Sequence, residues 1–377
     1  MAGRTVKKDD KTNTWYYLFT HGINDNGKPK QYKKRGFKTK QAAQKAMNEL
    51  DHSLTTGTYV KPNKILYREY MIEQWLEDKL TRVKRQTLET YTWLVKTHIL
   101  PVLGGTEINN LTAMQIQGLY NKLTKEKKLS DENIQKVHTL INDSLKKAER
   151  WGLIQKNPAS LVDRPKMIRK EVMVWSMDEV KHFLKHTDNE SRYYIAFELA
   201  LASGMRQGEI LGLRWQDVDF ENNCVRITQT LSSDGKEIQP YTKTRAGTRN
   251  IDLPAETMNQ LKKHKNRLEK EMGEAEPVDY TDMDLVVCSK NGTPTNKSNL
   301  RRAFDKSIQK AGLKKMKFHC MRHTHATLLL LQGVNPKVVS ERLGHSSVKI
   351  TLDVYSHLLP SMQKETAEQL GRALYED

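Results

Sequence analysis

The apolar residues of this chain fall into three stretches of different period, and that partition limits the fold more than any single motif does. In residues 1–62, "TWYYLFTHGI" is a β-rich aromatic run, "NDNGKPK" is a turn and "QYKKRGF" is a second strand. Ala42, Ala43, Ala46, Met47 and Leu50 then recur at helical spacing, closed by Gly57. From residue 64 to 163 the apolar period is helical throughout, and Thr112 and Gln115 are spaced as a capping box. Pro158 and Pro165 punctuate a boundary next to the cationic linker "RPKMIRK". Beyond it, Ser176 and Glu179 cap the first of several helices. These helices flank three strand candidates, "CVRITQTL", "EIQPYTKT" and "RNIDLP", the first pair turned by Asp234-Gly235. The expected fold is multidomain and mainly α with small β-sheets. It comprises a three-stranded sheet plus helix over 1–62, a helical domain over 63–163 and a mixed α+β domain over 164–377.

Charge separates the three stretches further. The chain carries a formal +18 over 377 residues, a field that attracts polyanions, nucleic acid above all. Residues 1–62 hold 13 Lys and Arg against 5 Asp and Glu, a net +8, so a sixth of the chain holds nearly half the excess. Lys28, Lys30, Lys33, Lys34 and Arg35 crowd one short ribbon beside Tyr32, and a β-ribbon fits the DNA major groove. Arg164, Lys166, Arg169 and Lys170 in the linker suit a strap along phosphates. No apolar run reaches the roughly 18 residues of a membrane span, and "MAGRTVKKDDKTNTWYY" lacks the apolar core of a secretory signal. The odd, scattered cysteines Cys224, Cys288 and Cys320 fit a reducing cytosol and neither disulfides nor a thiolate metal site.

Polar residues embedded in apolar helices carry the chemistry. In "FHCMRHTHATLLLL", His319, Cys320, Arg322, His323 and His325 crowd seven positions, a pattern open to a metal ion or to an anion. His319 and Arg322 are three apart and share a helical face, where an imidazole and a planar guanidinium converge as a phosphate would require. His323 and His325 are two apart and cannot both join His319. Arg206, between "LALASGM" and "QGEILGL", must be ion-paired (Glu209 is in reach), exposed at a helix end or ligand-bound. Gly204 and Gly208 thin the backbone around it for close approach by a large partner. Asn335, Pro336 and Gly344 delimit a helix, His345 lies just past its stop, and Tyr355 follows ten residues later.

Taken in order, "SGMRQGE", "YTKT", "HCMRH", "LGHSS" and "DVYSH" resemble the tyrosine recombinase family, in particular the integrases of phages and conjugative elements. The resemblance implies a tyrosine recombinase catalytic domain over 164–377, preceded by core-binding and arm-type DNA-binding domains. It implies Tyr355 as nucleophile, Arg206 and Arg322 as a clamp on the scissile phosphate, and His319 and His345 completing the pocket. Lys243 would be the leaving-group acid and Glu209 a support. It further implies strand exchange through a 3′-phosphotyrosine, with no cofactor, metal or ATP. Expected partners are double-stranded core and arm-type attachment sites, a homotetramer formed on DNA, an excisionase and a DNA-bending host protein, in the host cytoplasm. A relaxing topoisomerase would share the chemistry but not need the separate basic sheet domain. A DNA-binding regulator would need neither the phosphate clamp nor the terminal tyrosine. After Pro360, Met362, Ala367, Leu370, Ala373 and Leu374 form a partial helical stripe, suited to docking in cis or on a neighbouring protomer.

Overall fold

A computed structural model describes residues 3–23, 27–56, 64–126, 129–166, 173–232, 234–240, 248–274 and 280–355, with 367, 370–372, 374 and 375 in the tail. The side chains of Val354 and Tyr355 are outside that description. The chain divides into two compact units, Met1–Arg169 and Lys170–Asp377.

The first unit opens with an antiparallel sheet in the order β1 (Arg4–Asp9), β2 (Thr14–Ile23) and β3 (Pro29–Phe37). Thr39 caps the helix Lys40–Thr55 by accepting a hydrogen bond from Ala42 N–H. Period-two alternation sends Tyr17 and Phe19 onto that helix, where they meet Met47 with Val6 and Tyr32 around them. Lys33 pairs across the ladder with Leu18, and its Nζ lies 5.0 Å from the Tyr16 ring. Arg35 lies 5.7 Å from the same ring, on the face turned away from the helix. Lys34 pairs with Tyr17 and Lys30 lies over Tyr32, so the expected cationic ribbon is split between two faces. Its cations, Lys28 included, are all exposed. The helical remainder packs around Tyr67, Tyr70, Trp75 and the helix Asp131–Arg150. Tyr67 Oη and Ser144 Oγ are 2.7 Å apart, and Tyr70 O–H donates to Ser144 O at 2.7 Å. Two stretches of this part, Tyr70–Trp75 and Val95–Ile99, are wound as π-helix. The Thr112–Gln115 capping box forms as expected. Of the linker cations, Arg164 and Lys166 are exposed and Arg164 reaches Gln135. Arg169 and Lys170 lie outside the described residues.

The second unit is helical around small strands. Ser176 and Glu179 cap Met177–His186 reciprocally. The expected strand 224–231 is broken at Thr228. β5 (Cys224–Ile227) pairs with β4 (Val218–Asp219) and β8 (Arg249–Asp252), while β6 (Gln229–Leu231) pairs with β7 (Ile238–Pro240). At the turn of the β6–β7 hairpin, Gly235 has φ 75° and its N–H reaches Ser232 O. An aromatic cluster sets the core. Phe304 lies 5.4 Å from Phe197, 5.8 Å from Phe183 and 5.6 Å from Phe318, ring centroid to centroid. Phe318 immediately precedes the helix His319–Leu331, so this cluster places the first turn of that helix.

Phe304→Ala empties the middle of the cluster. We expect the second unit to lose about 3–5 kcal/mol, as a truncated buried aromatic does, read from denaturant unfolding. A loss under about 1 kcal/mol would mean that the cluster is not what holds this helix.

Candidate active site

Arg206 is the N-cap of the helix Gln207–Leu211. Its backbone N–H donates to Glu209 Oε2 at 2.8 Å, and Nη1 donates to Glu209 Oε1 at 2.9 Å. The ion pair open to it from sequence is therefore present. Nη2 donates to Gly344 O at 2.9 Å, which ties this helix end to the turn before His345. Glu209 is fully enclosed and holds a second arginine as well. Arg249 donates through Nη1 at 3.2 Å and Nη2 at 2.8 Å, a two-pronged pair. Burial alone would raise the Glu209 carboxyl, but the hydrogen bonds and charges of Arg249 and Arg206 outweigh it and bring it down to about 2.

Arg322 is buried and donates through Nη1 to Gly204 O at 2.7 Å. Gly204 ends the helix Tyr194–Ser203 in the left-handed conformation, φ 67°. The expectation that it opens space for a partner is corrected: a Cβ there would meet His325 and Leu343 side-chain atoms at 2.6 Å. At Gly208 a Cβ would meet Thr230 and Leu231, so that space too is filled from within. The helix Pro336–Leu343, capped by Asn335, stops at Gly344, φ 67° and ψ 47°. His345 N–H reaches back to Ser340 O, closing a Schellman turn that points the next residues away from the helix. His345 Nδ1 lies 2.8 Å from Thr351 Oγ1, on the helix Val348–Tyr355. Thr351 is four residues, one helical turn, before Tyr355.

Arg206, Arg322, His319 and His345 are thereby gathered. Burial comes first, then Arg322 and Arg206, in holding His345 down to about 4. Burial, then His323, Arg322 and Arg206, push His319 the same way, although the residue as a whole is exposed. Both rings are neutral near pH 7. His323 meets His319 edge-on at 4.9 Å, and His325 is packed inward. Among the described residues no three His, Cys, Asp or Glu side chains are grouped to hold a metal ion. Lys243 lies outside the described residues, as does the Tyr355 side chain. Arg249 and Arg342 were not singled out from sequence. Each is a lone cation in an ordinary strand or helix, with partners 17 to 140 residues away.

A mainly helical unit that gathers two fixed arginines and two neutral imidazoles has the make-up of an enzyme acting on a phosphodiester. Residues 174–362 match the phage integrase family, residues 5–54 an arm DNA-binding domain and residues 69–124 a phage integrase N-terminal SAM-like domain. A tyrosine recombinase XerC-like protein of Caldanaerobacter subterraneus is 30% identical over 98% of this chain and 99% of its own. The ICEBs1 integrase of Bacillus subtilis is 27% identical over 75% of this chain and 76% of its own. The fold is that of the Tn1549 transposon integrase, solved with a circular intermediate DNA: TM-score 0.63, 22% identity, 79% of this chain and 98% of that one. It is also that of a lambda integrase dimer bound to a core site: TM-score 0.59, 18% identity, 93% of each chain. The chain belongs to the phage integrase family and is a tyrosine site-specific recombinase.

Histidines held neutral in the fold make stability depend on pH. His264, His325 and His345 sit at about 4 against an ordinary 6.5. Between those values the unfolded chain binds more protons than the folded one. Stability is therefore full above pH 6.5 and falls as pH drops toward 4. Denaturant unfolding over this range should show the fall, and His264→Gln should make it shallower. A flat wild-type profile would contradict the assignment of neutral rings.

Proposed function

We propose that Tyr355 is the nucleophile that cleaves one DNA strand, with Arg206 and Arg322 holding the scissile phosphate. The supporting observation is that each guanidinium is pinned by a backbone carbonyl at one of two neighbouring turns, Gly204 and Gly344. Fixed donors of this kind stabilise charge that builds on non-bridging oxygens without reorganising during the reaction. The tyrosine oxygen forms a bond to phosphorus, the bond to the 5′ oxygen breaks, and a 3′-phosphotyrosine holds the strand end. Neutral His319 and His345 accept or share the tyrosine proton. Lys243 gives a proton to the leaving 5′ oxygen. Rejoining reverses the steps on a partner strand, so the ester conserves the bond and no ATP is consumed.

The domains divide the work. Residues 1–62 read arm-type sites, 63–163 clamp core DNA and 164–377 perform the chemistry, with Arg164, Lys166, Arg169 and Lys170 crossing phosphates between them. Four active sites are needed to exchange strands between two duplexes, so the working form is a homotetramer on DNA. A lambda integrase tetramer on a Holliday junction supports that reading. Leu370, Leu374 and Tyr375 are exposed, consistent with a tail that docks on a neighbour. An excisionase and a DNA-bending host protein set direction, and the site of action is the host cytoplasm. Among the described residues no helix is long and apolar enough to cross a membrane.

Tyr355→Phe should abolish the covalent adduct on nicked attachment-site DNA while leaving affinity nearly intact, as seen on denaturing and native gels. An adduct formed by the Phe variant would remove Tyr355 from the role. For the sheet, the placement of Lys33 and Arg35 beside Tyr16 supports reading DNA through the outward face. The double variant Lys33→Ala, Arg35→Ala should weaken arm-site binding and lower the slope of log affinity against log salt by about two. Lys34→Ala should change it little. Equal losses from both would show that the ribbon reads DNA along its edge instead.

A further inference from the structure

The helix Tyr194–Ser203 ends three residues before Arg206, and the last carbonyls of any helix lack partners within it. Side chains from the C-terminal part of the chain meet them here. His325 lies with Nδ1 2.7 Å from Leu201 O, Arg342 Nη2 donates to Ala202 O at 2.8 Å, and Arg322 Nη1 donates to Gly204 O. Arg342 does more than cap. Nη2 also donates to Asp252 O at 2.9 Å, at the end of β8, and Nε donates to His325 Nε2 at 3.1 Å. The backbone carbonyl of Arg342 accepts from Arg249 Nε at 2.8 Å, and Arg249 grips Glu209. An arginine Nε–H can only donate and a carbonyl can only accept. His325 is therefore the neutral tautomer with its proton on Nδ1.

A closed circuit results. It runs from Arg206 through Glu209 and Arg249 to the Arg342 backbone, and from Gly344 O, two residues on, back to Arg206. The Arg342 side chain closes a second loop from the same helix, through His325 and Ala202, onto the turn that precedes Arg206.

We propose that Arg342 is a positioning residue for strand cleavage. Acting through neutral His325, it fixes the Gly204 turn and thereby sets Arg206 and Arg322 against the loop that carries His345. The inference rests on reading those arginines as the phosphate clamp. Without the guanidinium, two carbonyls and His325 Nε2 lose their donor, and the turn is free to shift. A displacement of about 1 Å in such a group costs up to about a hundredfold in rate, whereas affinity spread over many DNA contacts barely changes. Lysine keeps the charge but not the fork, so it replaces only part of the set.

The test uses the full chain, saturating protein and nicked core-site DNA, with single-turnover adduct formation, equilibrium affinity and thermal unfolding measured together. Arg342→Met is expected to cleave about a hundredfold more slowly with affinity nearly unchanged. Arg342→Lys should lie between it and wild type. Millimolar methylguanidinium should restore part of the rate to Arg342→Ala, and His325→Gln added to Arg342→Met should cost little more. A wild-type rate in Arg342→Met overturns the proposal, as does a loss matching the loss of folded protein or of affinity. If Arg342→Met does not fold, Arg342→Lys decides: a reduced rate with normal affinity supports the role, and a full rate makes Arg342 merely structural. Arg206→Ala runs alongside. A wild-type cleavage rate in that variant refutes the underlying clamp reading, while a slow Arg206→Ala beside a fully active Arg342→Met refutes only this inference.

Discussion

One enclosed carboxylate organises the second unit. Glu209 lies between Arg206 and Arg249 with almost no access to water, and its charge survives there only because both guanidiniums meet it. The arrangement is asymmetric. Arg249 spends its fork on the carboxylate and its Nε on the chain at Arg342, so it is used up within the protein. Arg206 gives one nitrogen to Glu209 and one to Gly344 O, and its side chain stays 37% exposed. Of the two, Arg206 keeps a side open to a ligand. Replacing the carboxylate would leave two cations facing each other with nothing between them, and the Gly344 turn would lose its anchor at the same time.

The same logic explains why the two turns contain glycine. Gly204 and Gly344 both adopt the left-handed conformation, and each ends a helix whose last carbonyls receive side chains from elsewhere. At Gly204 the missing side chain is also a packing requirement, because His325 and Leu343 fill its place. The candidate site thus draws on helix ends, where backbone acceptors are available, as well as on the face shared by His319 and Arg322.

Features confined to a single short helix or its caps were legible in the sequence. These include the capping boxes at Thr112 and Ser176, the Arg206–Glu209 pair, the His319–Arg322 spacing and the Asn335-to-Gly344 helix. What escaped was carried by long-range geometry. Arg249 and Glu209 are 40 residues apart, and Arg342 meets Ala202 across 140, so no local pattern marks either. The glycines misled because sequence shows the absence of a side chain but not what occupies its place. The arm cations misled in another way: counted along the ribbon they form one patch, but strand alternation turns Lys33 away from the helix and Lys34 toward Tyr17. The strand break at Thr228 fell inside the alternating stretch "CVRITQTL", where no Gly or Pro marks it.

Among the described residues, three hydrophobic cores share no residue. The N-terminal sheet closes on Tyr17, Phe19 and Met47, the helical part of the first unit on Tyr67, Trp75 and their neighbours, and the second unit on its phenylalanine cluster. Nothing in the packing of one dictates a side chain in another. The chain's first fifty residues, matched by an arm DNA-binding domain, could be exchanged without altering a side chain of the other two cores, as a key is recut at the tip while the bow is left alone. The thinness of that first core, whose large buried side chains among the described residues are Tyr17, Phe19 and Met47, sets how much sequence change such an exchange can tolerate before the sheet itself comes apart.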